Sequence, residues 1–243
     1  MIELERTDSA GPIVTLDGPA GSGKSTTAAA VADRLGFRHL DSGALYRALT
    51  LALLEAGISR EKWKEMDEQA MRALDVTVTP VGTELQVSVG GRPVDAELRG
   101  EEVTRRVAYL ASLPSARACL LNLQRAAGAQ GRLVADGRDM GSVVFPHADV
   151  KVYLVADLQE RARRRLRDEG VERPSRDDVE TQSEAIAERD RHDSEREHSP
   201  LRKPEDAILL DTTRLSFDEQ VEAIVELVRK ASGREGAGED GTA

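Results

Sequence analysis

Cysteine and aromatic residues are both scarce in this chain of 243 residues. Cys119 is the only cysteine, which excludes an intrachain disulfide and a zinc site built from several cysteines, and which fits a reducing compartment. Aromatic residues make up 3% of the sequence, so stacking surfaces for single-stranded nucleic acid are few and aliphatic side chains must form the core. These absences argue against a disulfide scaffold and against a single-strand-binding protein.

The chain also lacks net positive charge and any segment apolar enough to be a membrane anchor. Its formal net charge is −10, whereas nonspecific affinity for DNA or RNA requires Lys and Arg that neutralise phosphates. Residues 1–11 are polar and acidic, and no uninterrupted apolar stretch of about 18 residues follows. We therefore expect a cytoplasmic protein with no nucleic-acid partner and no membrane segment.

Short apolar segments alternate with helical patterns along most of the chain. Residues 13–17 are predicted to form a strand, and residues 24–35 a helix that ends at Gly36. Further strands are predicted at 37–40, 133–136 and 150–155, with a last buried strand at 207–211, and further helices at 43–55, 101–111, 115–127, 158–169 and 217–228. This order predicts an α/β fold in which helices cover both faces of a parallel sheet.

Three segments depart from this pattern. Residues 75–94 alternate apolar with polar side chains between turn signals, which predicts a small antiparallel insert. Residues 177–196 are nearly all charged or polar, so they form either a long solvated helix or a mobile helix. Residues 232–243, rich in glycine and acidic residues, are predicted to be a disordered tail.

A phosphate-binding loop follows the first predicted strand. Residues 18–25 (GPAGSGKS) match G-x-x-x-x-G-K-[ST] between a strand and a helix, the context that this motif requires. Backbone N–H groups in such a loop surround phosphate oxygens, the lysine reaches the β- and γ-phosphates, and the serine hydroxyl binds Mg²⁺. The predicted ATP-binding residues are Gly18, Pro19, Ala20, Gly21, Ser22, Gly23, Lys24, Ser25 and Thr26, with Ser25 also a metal ligand. Asp136 ends a predicted strand and either helps to hold Mg²⁺ through water or caps the strand end.

A phosphate loop identifies a nucleotide-binding protein but not its reaction. The N-K-x-D element of guanine-specific switches is absent, and motor ATPases are usually longer. Transfer to a small acceptor needs cationic groups around the moving phosphoryl group and a lid that excludes water. Two arginine-rich stretches could supply such groups, although arginine runs are also typical of solvated helix faces. Their arginines are Arg161, Arg163, Arg164, Arg165, Arg189, Arg191 and Arg196.

Residues 40–47 (LDSGALYR), taken with the phosphate loop, resemble the bacterial cytidylate kinase family. Residues 136–141 (DGRDMG) and 144–146 (VFP) strengthen the resemblance, which covers about residues 12–230. It implies a monomeric P-loop NTPase-type enzyme of pyrimidine nucleotide metabolism that uses ATP and Mg²⁺ to phosphorylate CMP and dCMP. It also implies one kinase domain at 12–231, with an insert at about 60–112 that binds the nucleoside monophosphate and an arginine-rich lid at about 157–200. The extension at 1–11 and the tail at 232–243 are unmatched, and the charged composition of the lid predicts that it is mobile without ligand.

The resemblance also implies roles for individual residues. Arg47 and Arg138 would hold the acceptor phosphate, and Arg117 and Asp139 would read the cytosine edge. The implied substrate-binding residues are Ser42, Arg47, Arg117, Arg138, Asp139, Arg189, Asp193 and Arg196, of which Asp193 would bind the sugar. The implied catalytic residues are Lys24, Arg138, Arg163 and Arg165, of which the last two would close over ATP.

Several points remain open from the sequence. Arg117 could instead form a salt bridge on a helix face, and Asp139 could cap the turn at Gly137. Ala20 and Ala108 stand where some family members carry serine, so one or two auxiliary hydrogen bonds could be missing. The alternatives to a CMP kinase are a kinase for another small acceptor and a nucleotide-dependent regulatory or nucleic-acid-binding protein.

Overall fold

The computed structural model of the chain describes residues 11–197 and 199–235. These residues form two compact units, a first unit of residues 38–131 and a second unit of residues 11–37 and 132–235. In chain order the elements are β1 Ile13–Asp17, α1 Lys24–Leu35, β2 Arg38–Asp41, α2 Ser42–Glu55, α3 Arg60–Trp63, α4 Glu68–Arg72, β3 Val76–Val81, β4 Glu84–Val89, β5 Arg92–Pro93, a 3₁₀ turn Glu97–Arg99, α5 Glu101–Leu110, α6 Pro114–Gly128, β6 Leu133–Gly137, a π-helical turn Met140–Val144, β7 Val150–Val155, α7 Leu158–Asp168, α8 Arg176–Ser194, β8 Ile208–Asp211 and α9 Phe217–Glu235.

A parallel sheet forms the centre of the second unit, as predicted. Its strands run in the order β6-β1-β7-β8. Asp17, the last residue of β1, lies opposite Gly137 of β6 and Tyr153 of β7, so the carboxyl ends of these three strands meet at one edge. Every residue of β1 and β6 is buried, which is typical of parallel strands that are covered on both faces.

Helices α1 and α9 pack against each other and close the apolar core of the second unit. The helix pattern of residues 24–35 is confirmed, and Gly36 ends α1 in the left-handed conformation (φ 64°) that glycine adopts without strain. The buried residues of this core are Val14, Leu16, Ala28, Val31, Ala32, Val134, Val150, Val152, Leu154, Val221, Ile224, Val225 and Val228.

Strand β8, the last in the chain, lies at the edge of the sheet. The prediction that it is buried was wrong. Ile208 and Leu209 are 44% and 57% exposed, although their apolar character is typical of a core strand. Strand β8 pairs with β7 along one side, so part of its surface faces solvent. Apolar composition alone does not distinguish an edge strand from a central one.

The first unit contains the predicted antiparallel insert. Strands β3, β4 and β5 form a three-stranded sheet, with Val76 opposite Val89 and Gly82 turning the chain at φ 64°. Helix α2 packs on α5 and on β4. Trp63 is fully buried and stacks on Tyr109, with ring centroids 6.2 Å apart.

The charged stretch after α7 forms the predicted helix, α8. A capping box of Ser175 and Asp178 starts this helix. Val179 and Ile186 pack with Ala162 and Leu166 of α7, while most of the other α8 side chains are exposed.

The predicted extension at 1–11 and tail at 232–243 lie only partly within the described residues. Helix α9 continues to Glu235, so residues 232–235 are helical and not part of a disordered tail. Residues 1–10 and 236–243, the remainder of the predicted extension and tail, lie outside the described residues. Within the described ranges, no helix combines the length and the apolar composition needed to cross a membrane.

Candidate active site

The phosphate loop joins the end of β1 to the start of α1, and two of its glycines are required by its shape. Gly18 has φ 149°, and a Cβ atom there would lie 2.1 Å from the carbonyl oxygen of Leu154. Gly23, which immediately precedes α1, has φ 86°. Side chains at these positions would clash or strain the backbone, so the loop can approach phosphate only with glycine.

Lys24, the first residue of α1, is 5% exposed. Its Nζ atom donates to the carbonyl oxygen of Pro19 at 2.8 Å, which folds the side chain back over the loop. Burial, together with the positive charge of Arg138, lowers the pKa of Lys24 to about 7, while Asp136 and Asp17 oppose this shift. A bound triphosphate would supply the negative charge that favours the ammonium form.

Ser25 and Asp136 lie together at the base of the loop. The Ser25 hydroxyl donates to the Asp136 carboxylate at 2.5 Å, and Asp136 is 2% exposed. A hydroxyl and a carboxylate oxygen are ligands of the type that Mg²⁺ prefers. Phosphate oxygens and water would complete the coordination shell of the ion. Among the described residues, no group of three or more His, Cys, Asp or Glu side chains could hold a metal ion.

Helices α7 and α8 contact the phosphate loop through Arg161, one of several candidate arginines, and through Asp190, for which no role was predicted. The backbone N–H of Ala20 donates to Asp190 at 2.8 Å, and Arg161 donates to the carbonyl oxygen of Ala20 at 2.9 Å. Arg161 also forms an ion pair with Asp190. The Ala20 side chain packs in the apolar cluster with Ala162 and Ile186, so alanine fits where some family members carry serine.

Arg164 connects the phosphate loop to the segment after β8. It donates to the Thr212 carbonyl at 2.6 Å, to the Thr212 hydroxyl at 3.0 Å and to the Ser22 carbonyl at 3.4 Å. Thr212 is fully buried, so this contact is part of the packed wall beside the loop.

Arg163 and Arg165, the two predicted lid arginines, bond within α7 and to the residue that directly follows it. Arg163 donates to Gln159 at 3.5 Å, and Arg165 pairs with Glu169 at 2.8 Å in an exposed contact. The arginines that contact the phosphate loop are therefore the neighbouring Arg161 and Arg164. A catalytic role for Arg163 and Arg165 stays a prediction.

Asp193 forms ion pairs with two of the predicted substrate-binding arginines. Its carboxylate accepts from Nε of Arg138 at 2.8 Å and forms an ion pair with Arg196, and its side chain is 3% exposed. Burial acts to raise the pKa of Asp193, but the charges of Arg138 and Arg196 outweigh it and the pKa is lowered. Arg189 is exposed, and its charge also acts on Asp193 and on Lys24.

Asp139 immediately precedes the π-helical turn, yet its side chain does not cap that turn. The capping carboxylate is Asp17, which accepts from the N–H groups of Met140 at 2.9 Å and Gly141 at 2.7 Å. Asp17 is 2% exposed, and burial raises its pKa to about 6, although these amide bonds and Lys24 oppose the shift. The π-helical turn is therefore capped by Asp17 and not by Asp139.

In the first unit, helix α2 carries Ser42 at its first position and Arg47 one and a half turns later. Ser42 is buried, and Arg47 donates to the Leu98 carbonyl at 3.1 Å and to the Thr104 hydroxyl at 2.9 Å. Arg117 lies over the ring of Tyr46, with 5.6 Å from its guanidinium carbon to the ring centroid, and donates to the Ala111 carbonyl at 3.1 Å. The structure thus brings Arg117 to the helix that carries Ser42 and Arg47.

Asp17 could have been found from the sequence by one signal. It is a carboxylate at the end of a strand that is otherwise apolar, immediately before the phosphate loop, and buried charges need partners. No local feature of the sequence distinguishes the other contributing residues from their neighbours in the 40–47 motif and the arginine-rich stretches. These residues are Tyr46, Arg161, Arg164 and Asp190.

Comparison with known proteins agrees with this geometry. The family model described as cytidylate kinase matches residues 14–230. A cytidylate kinase from Exiguobacterium sibiricum is 43% identical over 218 residues, which is 90% of this chain and 97% of the relative. The cytidylate kinase of Chlorobaculum tepidum is 43% identical over 90% of this chain and 93% of the relative, and that of Acholeplasma laidlawii is 42% identical over 92% and 98%. The chain belongs to the cytidylate kinase family.

Proposed function

We propose that this protein transfers the γ-phosphoryl group of ATP to CMP and dCMP, forming ADP with CDP or dCDP, in pyrimidine nucleotide metabolism. The observation that carries the proposal is a phosphate loop with a buried Lys24 and an adjacent Ser25–Asp136 pair, in a chain of the cytidylate kinase family. Such a loop holds a triphosphate, and the family indicates a cytidine nucleotide as acceptor.

The proposed donor site consists of residues 18–26. Backbone N–H groups of the loop and the amino-terminal end of α1 would bind the phosphates of ATP. Lys24 would move from the Pro19 carbonyl to the β- and γ-phosphates, where its charge offsets the charge of the transferring group.

Mg²⁺ fits the pair formed by Ser25 and Asp136, because both side chains offer oxygen atoms and they lie 2.5 Å apart. Ser25 would bind the ion directly, and Asp136 would orient a water or the serine hydroxyl. The ion, when bound, screens the negative charge of the β- and γ-phosphates. A magnesium titration tests this assignment: we expect Ser25→Ala to raise the Mg²⁺ concentration needed for half-maximal rate, and the matched variant Ser25→Thr to remain near wild type. Equal curves for the three proteins would refute it.

In the second unit, Arg138 is proposed to bind the acceptor phosphate and Asp193 the sugar, with Arg189 and Arg196 beside them. The Asp193 carboxylate holds Arg138 and Arg196 by ion pairs, so both guanidinium groups are oriented before substrate arrives. Asp139 is proposed to accept from the amino group of cytosine.

In the first unit, Arg47 is proposed as a ligand of the acceptor phosphate and Arg117 as a reader of the cytosine edge, with Ser42 as a further nucleotide ligand. Arg117 is half-buried and lies over Tyr46, which limits its freedom. Cytosine presents an amino donor beside two acceptors, so a carboxylate and an arginine match it and leave uracil mispaired.

Phosphoryl transfer needs positioning and charge stabilisation more than it needs a strong base. Lys24 and Arg138 would supply positive charge around the moving group, and Arg163 and Arg165 are proposed to add to it when the lid closes. We also propose the domain plan given by the family: a kinase domain at 12–231 with an insert at about 60–112 and a lid at about 157–200, acting as a monomer in the cytoplasm.

A coupled assay with CMP, dCMP, UMP and AMP as acceptors tests the proposed function. We expect CMP and dCMP to be used best, and UMP to be at least about tenfold poorer, since its edge leaves buried polar groups unpaired. Equal rates with CMP and UMP would overturn the proposed base recognition. Absence of CDP from a reaction with ATP, Mg²⁺ and CMP would overturn the function.

A further inference from the structure

A single buried residue, Asp17, contacts both ends of the segment that carries Arg138 and Asp139, through its backbone at one end and its carboxylate at the other. Before this segment, Gly137 pairs in the sheet opposite Asp17. After it, the N–H groups of Met140 and Gly141 donate to the two oxygens of the Asp17 side chain, at 2.9 Å and 2.7 Å. We call Asp17 with these two N–H groups the Asp17 clamp.

The surroundings of the clamp leave little room for another arrangement. Asp17 is 2% exposed, so neither water nor a second side chain can easily replace its hydrogen bonds. A Cβ atom on Gly141 would lie 2.8 Å from the Thr15 hydroxyl, 3.3 Å from Lys151 and 3.4 Å from the Asp17 carboxylate. Glycine at this position lets the turn approach Asp17 closely.

In the Asp17 clamp, the residue that caps the π-helical turn differs from Asp139, the residue proposed to recognise cytosine. The first N–H groups of a helical turn need an acceptor, and the residue that precedes the turn usually provides it. Here that residue is Asp139, whose side chain does not cap, because Asp17 does. The Asp139 carboxylate can therefore serve a ligand without releasing the turn.

We propose that Asp17 is a positioning residue for acceptor recognition: its clamp fixes the backbone of residues 137–141 so that Arg138 and Asp139 present the geometry that selects cytidine nucleotides. This proposal rests on the proposed function for the identity of the acceptor. The side chain of Asp17 hydrogen-bonds to the backbone of Met140 and Gly141. Asp17 would therefore act on the acceptor through Arg138 and Asp139.

Kinetics of Asp17→Asn provide the test, because asparagine keeps the size of the side chain but can accept from only one of the two N–H groups. We expect the KM for CMP to rise about tenfold or more, with poorer discrimination against UMP, since one charge-assisted hydrogen bond is lost. We expect the KM for ATP to rise much less than the KM for CMP, because the side chain hydrogen-bonds to residues 140 and 141 and acts on the phosphate loop only through its charge on Lys24.

Asp149→Asn is the matched control. Asp149 accepts from the N–H of Ile13 at 2.6 Å, so it makes the same type of bond at the opposite end of β1. We expect both KM values of this variant to stay within about twofold of wild type. If Asp17→Asn changes neither KM, or changes both to the same degree, the positioning role is wrong.

A second variant and a measurement on the wild-type protein keep the test decisive if Asp17→Asn does not fold. In Gly141→Ala, the added Cβ atom would clash with the Thr15 hydroxyl and displace the turn from Asp17. This variant is expected to raise the KM for CMP selectively. In the wild-type protein, the N–H groups of Met140 and Gly141 must exchange slowly with solvent, and rapid exchange would refute the clamp. If wild-type protein transferred no phosphate to CMP, the proposed function would fail while the exchange measurement would still decide whether the clamp exists.

Discussion

The Asp193 carboxylate lies 2.8 Å from Nε of Arg138 and joins the end of helix α8 to the segment after strand β6. Arg196 pairs with the other carboxylate oxygen, so one negative charge serves two guanidinium groups. The Asp193 side chain is 3% exposed, and an ion pair with so little solvent is sensitive to loss of either partner.

Asp193→Asn is therefore expected to destabilise the protein. It leaves Arg138 and Arg196 without their shared counter-charge, at a cost of about 3 kcal/mol in the free energy of unfolding. Urea denaturation at pH 7 measures this. The control is Asp218→Asn, which removes an exposed partner of Arg34 and is expected to cost at most about 0.5 kcal/mol. Equal losses in the two variants would contradict the assigned importance of the buried pair.

The ion pairs of Asp193 also predict how the free energy of unfolding changes in acid. The pKa of Asp193 is lower in the folded protein than in an unfolded chain, so its stabilising contribution is present above the unfolded value and is lost as the pH falls through the folded value. The difference between wild type and Asp193→Asn should accordingly be full at pH 7 and shrink only in acid, below about pH 4.

Lys24→Ala is expected to abolish phosphoryl transfer and leave the fold intact. The variant removes the cation proposed for the β- and γ-phosphates, and loss of one such group typically lowers kcat by about 10²-fold or more. The fold is expected to survive because Gly18 and Gly23 shape the loop, and the Lys24 ammonium donates to the Pro19 carbonyl and the Ser22 hydroxyl within that same loop. The assay is paired with a thermal melt, and Lys230→Ala, on the exposed face of α9, is the control. Near-normal turnover of Lys24→Ala would refute its assignment.

The parts of the site that follow from local sequence could be predicted. Glycine spacing, a preceding apolar strand and a following helix define residues 18–25 without knowledge of the fold. Periodicity likewise identified β1, α1 and the antiparallel insert, since each depends on neighbours within a few residues. The same reasoning failed for β8, because burial of Ile208 and Leu209 depends on the strand order and not on their own apolar character.

Contacts between distant residues could not be predicted from the sequence. Asp17 and Met140 are 123 residues apart in the chain, and Ala20 and Asp190 are 170 apart. The preference for Arg161 and Arg164 over Arg163 and Arg165 at the phosphate loop depends on the rotation of α7, which a run of arginines does not reveal.

Asp190→Ala is expected to loosen helix α8 from the phosphate loop. The variant removes the acceptor for the Ala20 N–H and the counter-charge of Arg161, so the carboxyl-terminal half of α8 should exchange its amide hydrogens faster, and the KM for ATP should rise severalfold. Glu188→Ala, an exposed change on the same helix, is the control. In the wild-type protein without ligand, the exposed turn between α7 and α8 should exchange fastest, as expected for a mobile lid. Strong protection of that turn, or equal effects of the two variants, would contradict these assignments.

The raised pKa of Asp17 predicts a second pH effect, opposite in sign to that of Asp193. Burial raises this pKa from 3.8 to about 6, so between these values the folded protein binds more protons at Asp17 than the unfolded chain does. Stability contributed by Asp17 must therefore fall as the pH rises from about 4 to about 6, whereas Asp17→Asn, which does not titrate, lacks this slope. Relative to wild type, the variant should gain about 3 kcal/mol in the free energy of unfolding between pH 4 and pH 7. Denaturation of both proteins without nucleotide at several pH values measures the difference. A constant difference, or one that moves against the variant as the pH rises, would show that the Asp17 carboxylate is already ionised in mild acid and that burial does not dominate its titration.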